Sequence, residues 1–252
     1  LAYNWFPPYS YNLALFVFIS GYFYKTDYEE NVGKYIWKRT KRLLIPAYLW
    51  NIFYGGMVAF LGLFGFTIGA KPDLYNLFVM PFVDGEAFQY NLGSWFVYPL
   101  FLVCIINVLF RKFLKLIHLD NEFIVLIVYL AIGMIGINTA IENQTAINGI
   151  VKLLVRTMFF LPCYEFGRFY KAVLEKKDTL NNVAYFAIIF AVQLILLTFC
   201  KDLEYTPSSF TKFNNGFIIP YISSITAIAF WLRVSRLLVP AIGNSKLVRL
   251  IA

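Results

Sequence analysis

The chain has 252 residues, of which 60% are hydrophobic, 20% are aromatic and only 14% are charged. A soluble domain carries about 25% charged residues, so this composition excludes an ordinary water-soluble fold and indicates a membrane protein. The formal net charge is +8. In a membrane protein such a charge indicates Lys and Arg retained in cytoplasmic loops, and we therefore expect no nucleic-acid partner.

Apolar runs separated by polar, Pro-bearing or Gly-bearing stretches predict an all-α transmembrane helix bundle with seven spans. In chain order the predicted spans are Tyr11–Tyr24, Leu44–Phe66, Trp95–Phe110, Phe123–Ile137, Ile150–Phe169, Val183–Cys200 and Phe217–Leu232. The stretch Leu247–Ala252 predicts the start of an eighth. No repeat or linker divides the chain, so residues 1–252 are expected to form a single transmembrane domain. The longest segment between spans, Thr67–Ser94, is interpreted as a re-entrant or lid-like outer loop.

The basic residues alternate along this series of spans. With Arg168 and Arg249, which lie near span ends, counted in the neighbouring segments, the second, fourth, sixth and eighth inter-span segments hold 17 of the 22 Lys and Arg residues, whereas the odd-numbered segments hold three. Cytoplasmic loops carry the excess of positive charge, so the even-numbered segments are predicted to be cytoplasmic and Leu1 extracytoplasmic. We expect a multi-pass protein of the plasma (inner) membrane, with lipid as a partner.

Two further basic residues lie in the outer half of the fifth predicted span. Lys152 lies near the outer end and can extend its ammonium group to the interface. Arg156 lies six residues after the start of the span, which corresponds to a depth of about 9 Å in an α-helix. A guanidinium at that depth costs a few kcal/mol unless it faces protein or water, so a buried partner or a function is favoured over a lipid-facing side chain.

Four short motifs, in this order, resemble the acyltransferase-3 family of membrane acyltransferases. They are Phe16–Tyr22 (FVFISGY), Lys38–Pro46 (KRTKRLLIP), Ser94–Val97 (SWFV) and Ile242–Ser245 (IGNS), with a weaker similarity at Phe166–Arg168 (FGR). Together the motifs extend over nearly the whole chain. The resemblance implies an O-acylating enzyme with a catalytic His in a helix that precedes residue 1, and a last helix that begins where the chain stops. On that reading the fragment alone is expected to be inactive.

The resemblance also implies an acyl donor, and acyl-coenzyme A is an anionic, cytosolic one. Arg39 and Arg42 lie three residues apart, so they are expected on one helix face, with Lys38 and Lys41 beside them. Planar guanidinium groups suit phosphate oxygens, and these four residues are the predicted donor-binding site. A plain positive charge at the inner membrane surface is the other interpretation. Acyl-coenzyme A would be a substrate, and we expect no cofactor and no metal.

Other residues are candidates for the pocket or were considered and set aside. Trp95 and Arg156 are candidate pocket residues, Trp95 as part of an acceptor pocket, although a Trp at an interface is also ordinary. Ser20 and Gly21 suit either close helix packing or an acyl channel. His118 is interpreted as a surface residue, and Glu165 is expected to pair with Arg168 at i+3. The three cysteines, Cys104, Cys163 and Cys200, are expected to act as small hydrophobic residues.

The favoured function is transfer of an acyl group, acetyl in the simplest case, from acyl-coenzyme A to a hydroxyl of a polysaccharide or lipid-linked sugar. One alternative is a transporter for a glycan, lipid or small solute, which would more often show inverted repeats and broken helices in matching positions. Another is a noncatalytic membrane subunit of a polysaccharide synthase.

Overall fold

The structure, a computed structural model, describes residues 5–66, 71–143, 148–200, 203 and 215–242, except the side chains of 241 and 242. The described part is all-α, as predicted, and contains no strand. Its α-helices are α1 (Asn12–Tyr22), α2 (Val32–Arg39), α3 (Ile45–Leu63), α4 (Met80–Val83), α5 (Val97–Leu116), α6 (Glu122–Glu142), α7 (Gly149–Phe169), α8 (Asn182–Phe199) and α9 (Ile219–Ile242). The π-helical turn Thr40–Leu44 joins α2 to α3 without a break.

Each predicted span corresponds to one helix, and five helical stretches are long and apolar enough to cross a membrane. These are Val32–Leu63, Gln89–Leu116, Glu122–Glu142, Asn182–Phe199 and Ile219–Pro240. Helix α1 has only 11 residues, and α7 has 21 residues but carries four charged side chains. The multi-pass bundle is therefore confirmed, whereas the count of seven spans stays a prediction. The expected eighth span, Leu247–Ala252, lies outside the described residues.

Helix α7 is the centre of the bundle. It packs against α1, α5 and α6, and most of its side chains are buried. A helix surrounded by protein need not be apolar on all faces, because its charged side chains meet other side chains rather than lipid. This position explains why the least hydrophobic of the predicted spans can lie inside the bundle.

Two glycines allow α1 and α7 to approach closely. A Cβ added at Gly21 would lie 1.8 Å from the carbonyl oxygen of Tyr164, and one added at Gly167 would lie 1.9 Å from that of Phe18. Only a residue without a Cβ fits at either position. The close packing expected at Gly21 is thus present, and its partner is α7.

Contacts between loops and helix ends define two ends of the bundle. At the first, the Tyr22 hydroxyl donates a hydrogen bond to Glu175 at 2.8 Å, and Arg236 pairs with the same carboxylate at 2.8 Å. We call it the basic end, because Arg111, Arg168 and the lysines that follow α7 lie there. At the opposite end, the Ser224 hydroxyl donates a hydrogen bond to the carbonyl oxygen of Ser10 at 2.8 Å.

One expectation about the basic end was wrong. The predicted span ends at Phe110, which leaves Arg111 in the segment between spans, but α5 continues to Leu116. Arg111 is inside the bundle with 0% of its surface exposed. Carboxylates from α6 and α7 compensate its charge, so the helix does not have to end where the apolar run ends.

The segment 71–96 folds back against α3 and α7 at the opposite end. It contains the π-helical turn Tyr75–Val79, helix α4 and the 3-10 turns Gln89–Phe96. The buried Asn51 on α3 donates a hydrogen bond to the carbonyl oxygen of Leu77 at 2.8 Å and accepts one from Asn91 at 2.7 Å. These bonds attach the segment to the bundle at two points.

Candidate active site

Arg39 is the one residue of the predicted donor site that turns into the bundle. Its side chain is half-buried, and its Nε donates a hydrogen bond to the Tyr35 hydroxyl at 3.0 Å. The guanidinium also lies 5.1 Å from the centre of the Tyr35 ring and within electrostatic range of Cys104 and Tyr164. Its two terminal nitrogens make no hydrogen bond to another described residue.

Arg42, Lys38 and Lys41 are exposed. Lys38 lies over the Tyr28 ring at 5.5 Å, and Lys41 lies over the Trp37 ring at 5.1 Å. The expectation that Arg39 and Arg42 share a face is therefore not met. The α-helix ends at Arg39, and the π-helical turn that follows rotates less per residue, so Arg42 falls further short of a full turn from Arg39 than it would in an α-helix. The four cations surround the start of α3, and only Arg39 points inward.

Four tyrosines, Tyr24, Tyr28, Tyr35 and Tyr164, pack together beside Arg39. Their ring centres are 4.6 Å to 6.3 Å apart. Arg39 lies over one member of this tyrosine cluster, and Arg168 lies over another, Tyr24, at 4.8 Å. Cation–π contacts of this kind fix a guanidinium without neutralising it. The cluster therefore separates two arginines and keeps both in defined positions.

A buried ionic network lies deeper at the basic end. Arg111 Nη2 binds Glu165 at 2.7 Å and Glu122 at 2.6 Å, and Arg111 Nη1 binds Asp120 at 3.3 Å. The expected pair between Glu165 and Arg168 is wrong, because Arg168 binds Glu122 at 2.9 Å instead. Helix α7 places the two residues three apart, but the neighbouring helices supply closer partners. The network joins α5, α6 and α7.

Arg156 and Trp95, two candidate pocket residues, meet at the opposite end. The Arg156 guanidinium lies 4.7 Å from the centre of the Trp95 ring, and its Nη1 donates a hydrogen bond to the carbonyl oxygen of Gly85. Arg156 is 1% exposed, so it is buried among protein partners, as the favoured interpretation required. Lys152 pairs with Glu86 on the same segment. Helix α7 thus carries a cationic site near each of its ends.

The remaining candidates have mainly structural surroundings. Ser20 donates a hydrogen bond to the carbonyl oxygen of Phe16 at 3.1 Å, within its own helix. His118 is exposed just beyond α5. Cys104 and Cys163 are free and buried, and Cys200 is partly buried. Gly21 thus lies against α7 and Cys163 is part of α7, whereas Cys104 lies in α5 near Arg39 and Cys200 directly follows α8.

Sequence reasoning missed Tyr35, Tyr164 and the pairing of Arg111 with Glu165. The sequence offered a partial signal for Tyr35, which lies four residues before Arg39 and hence on the same helix face. It offered none for Arg111 and Glu165, which are 54 residues apart and meet only through packing of α5 on α7. Their contact depends on tertiary structure.

Comparison with known families agrees with the motifs. A family model described as "Acyltransferase domain" matches residues 2–252. The chain belongs to the acyltransferase-3 family. No match to the chain is found among curated proteins or among solved structures. Family membership, together with the apolar helices, makes this chain a multi-pass membrane acyltransferase.

Proposed function

We propose that this acyltransferase takes an acyl group, acetyl in the simplest case, from acyl-coenzyme A and transfers it to a hydroxyl of a polysaccharide or lipid-linked sugar. The observation that supports the proposal is the position of Arg39. Its Nε is fixed by the Tyr35 hydroxyl, and its terminal nitrogens are left for a ligand at the basic end. A half-buried, preoriented guanidinium suits bidentate binding of a phosphate or diphosphate.

The exposed cations near Arg39 would supply the outer part of the donor site. Lys38, Lys41 and Arg42 are on the same stretch of chain and carry charge into solvent. They would attract an anionic donor over the Debye length of about 10 Å, while Arg39 would make the specific contact. On this assignment loss of Arg39 affects donor binding more than loss of Arg42.

The reaction requires the acceptor hydroxyl oxygen to attack the thioester carbonyl carbon. The hydroxyl proton passes to a base, the carbonyl oxygen becomes a transient oxyanion, and coenzyme A leaves as its thiolate. We propose that the acceptor approaches from the opposite end, near Trp95 and Arg156. Arg156 and Tyr164 are eight residues apart on α7, about 12 Å at the helical rise. The acyl group would therefore reach the acceptor along α7.

Radiolabelled acetyl-coenzyme A tests the proposal in liposomes that contain the full-length protein and glycan extracted from the source cells. The expected result is label on the glycan, in a bond that is cleaved by mild alkali as an ester is. Glycan movement across the bilayer without any acyl transfer would contradict the proposal in favour of a transporter. Absence of both activities from protein that retains its folded state would favour the noncatalytic subunit.

A further inference from the structure

A cleft of about 520 Å³ opens at the basic end, on the far side of the tyrosine cluster from Arg39. It lies between the end of α1, the start of α6 and the end of α7. Its lining residues are Tyr24, Lys25, Thr26, Asp27, Glu122, Arg168, Lys171, Ala172 and Lys176. We call it the lysine cleft.

The lysine cleft carries uncompensated positive charge. At its base Glu122 and Arg168 form an ion pair at 2.9 Å, and both also belong to the buried network, where Glu122 binds Arg111 at 2.6 Å and Arg168 lies 3.5 Å from Glu29. None of the lining lysines, Lys25, Lys171 and Lys176, forms an ion pair with a described residue, and all three are exposed. Asp27 is the one lining carboxylate that is likewise unpaired within the described residues. Three ammonium groups against one carboxylate leave a site that favours an anion.

The surroundings of the lysine cleft indicate where that anion comes from. The Lys171 ammonium lies 5.0 Å from the centre of the Tyr22 ring and 5.9 Å from that of Phe23. Phe23 is 63% exposed, and Leu174, in the same turn as Lys171, is 45% exposed. Exposed apolar side chains at the end of membrane helices lie against lipid, at the depth of the headgroups. The cations therefore border the bilayer rather than open solvent.

We propose that the lysine cleft binds the phosphate of an anionic phospholipid headgroup. Basic pockets between transmembrane helices recognise such headgroups, and compact ammonium groups contact phosphate oxygens as point charges. The acyl chains of the lipid extend past Phe23 and Leu174 into the bilayer. This site is separate from the proposed donor site on Arg39 and does not depend on that assignment.

The test compares two double variants of equal net charge, K171Q/K176Q in the cleft and K112Q/K177Q as the control. Lys112 and Lys177 are exposed at the basic end but do not line the cleft. Phosphatidylglycerol and phosphatidylcholine with identical acyl chains are titrated into protein in neutral-detergent micelles, and bound lipid is counted by native mass spectrometry. We expect K171Q/K176Q to weaken phosphatidylglycerol binding about 30-fold, roughly five-fold per lysine. Phosphatidylcholine binding and the control variant should not change.

A second variant and a competitor keep the test decisive. K25Q/K176Q removes two lining lysines that make no ring contact, so it should weaken binding similarly even if K171Q disturbs Tyr22. Coenzyme A should not displace phosphatidylglycerol. Equal phosphatidylglycerol binding by the cleft and control variants would overturn the proposal. Displacement by coenzyme A, lost in the cleft variants, would also overturn it and assign the cleft to the phosphates of the donor.

Discussion

Single side chains in this bundle are held by partners that are distant in the sequence. Arg111 binds carboxylates from the α5–α6 connection, α6 and α7, and the guanidinium has no access to water. Removing one member of a buried ion pair leaves the other charge uncompensated, which costs about 3–5 kcal/mol. Sequence alone placed Arg111 in a loop, because the apolar run ends at Phe110 and nothing local indicates that Glu165 compensates the charge.

Arg111→Ala should destabilise the protein by about 3–5 kcal/mol, because Glu165 would remain buried without its cation. Lys112→Ala changes the neighbouring exposed residue and should stay within about 0.5 kcal/mol of the parent. Denaturant unfolding in detergent, followed by intrinsic fluorescence, measures both. Equal stability of the two variants would show that the network does not hold α5, α6 and α7 together.

Gly21→Ala should also destabilise the protein, since the new Cβ would lie 1.8 Å from the carbonyl oxygen of Tyr164. That oxygen belongs to the backbone of α7 and cannot move away by a side-chain rotation. Overpacking of this kind costs about 1–3 kcal/mol, and more where the obstacle is backbone. Gly56→Ala on α3 is the matched control, because a Cβ there meets nothing within 4 Å. The apparent Tm should fall for Gly21→Ala and stay level or rise for Gly56→Ala. A level Tm for Gly21→Ala would contradict the close approach.

Whole elements were easier to predict from sequence than their arrangement. Apolar runs bounded by polar, Pro-bearing or Gly-bearing residues indicate helices whatever they pack against, which is why each predicted span matches a helix, even where the run was shorter than the roughly 20 residues that cross a membrane. The central position of α7 could not be predicted, because it depends on Gly21, Gly167 and carboxylates elsewhere in the chain. Helix ends were also missed where a π-helical turn or a buried charge prolonged the helix, as at Thr40–Leu44 and Arg111.

The segment 71–96 is held to the bundle by few polar bonds, and Asn51 makes two of them. Asn51→Ala should raise amide hydrogen exchange in residues 75–83 by about tenfold or more, since a lost buried hydrogen bond costs about 1–3 kcal/mol. Exchange in α6 and α7 should not change. Asn138→Ala, an exposed residue on α6, is the control and should leave residues 75–83 protected. Unchanged exchange in Asn51→Ala would show that the other contacts, among them Arg156 with Gly85 and Lys152 with Glu86, hold the segment without Asn51.

Binding of cytosolic acyl-coenzyme A at Arg39 requires the basic end of the whole bundle to face the cytoplasm. The Lys and Arg distribution predicts that the basic end is cytoplasmic, and the proposed donor site is at that end. In a Cys200→Ser background, needed because Cys200 is only partly buried, Lys177→Cys and Asp73→Cys introduce exposed thiols at opposite ends, while Cys104 and Cys163 are buried. A membrane-impermeant maleimide added to intact cells should label Asp73→Cys, and should label Lys177→Cys only after lysis. The reverse pattern would place the basic end outside, away from cytosolic coenzyme A.

The proposed role of Arg39 is to bind the phosphates of the acyl donor. Steady-state kinetics of the full-length protein, with acetyl-coenzyme A as the varied substrate, measure that role. Arg39→Ala should lower kcat/KM for the donor about 10- to 150-fold, the loss expected for a hydrogen bond to a charged group. Arg42→Ala should have a smaller effect, and Lys34→Ala, an exposed control on α2, should match the parent. An unchanged kcat/KM for acetyl-coenzyme A in Arg39→Ala would show that Arg39 does not bind the donor.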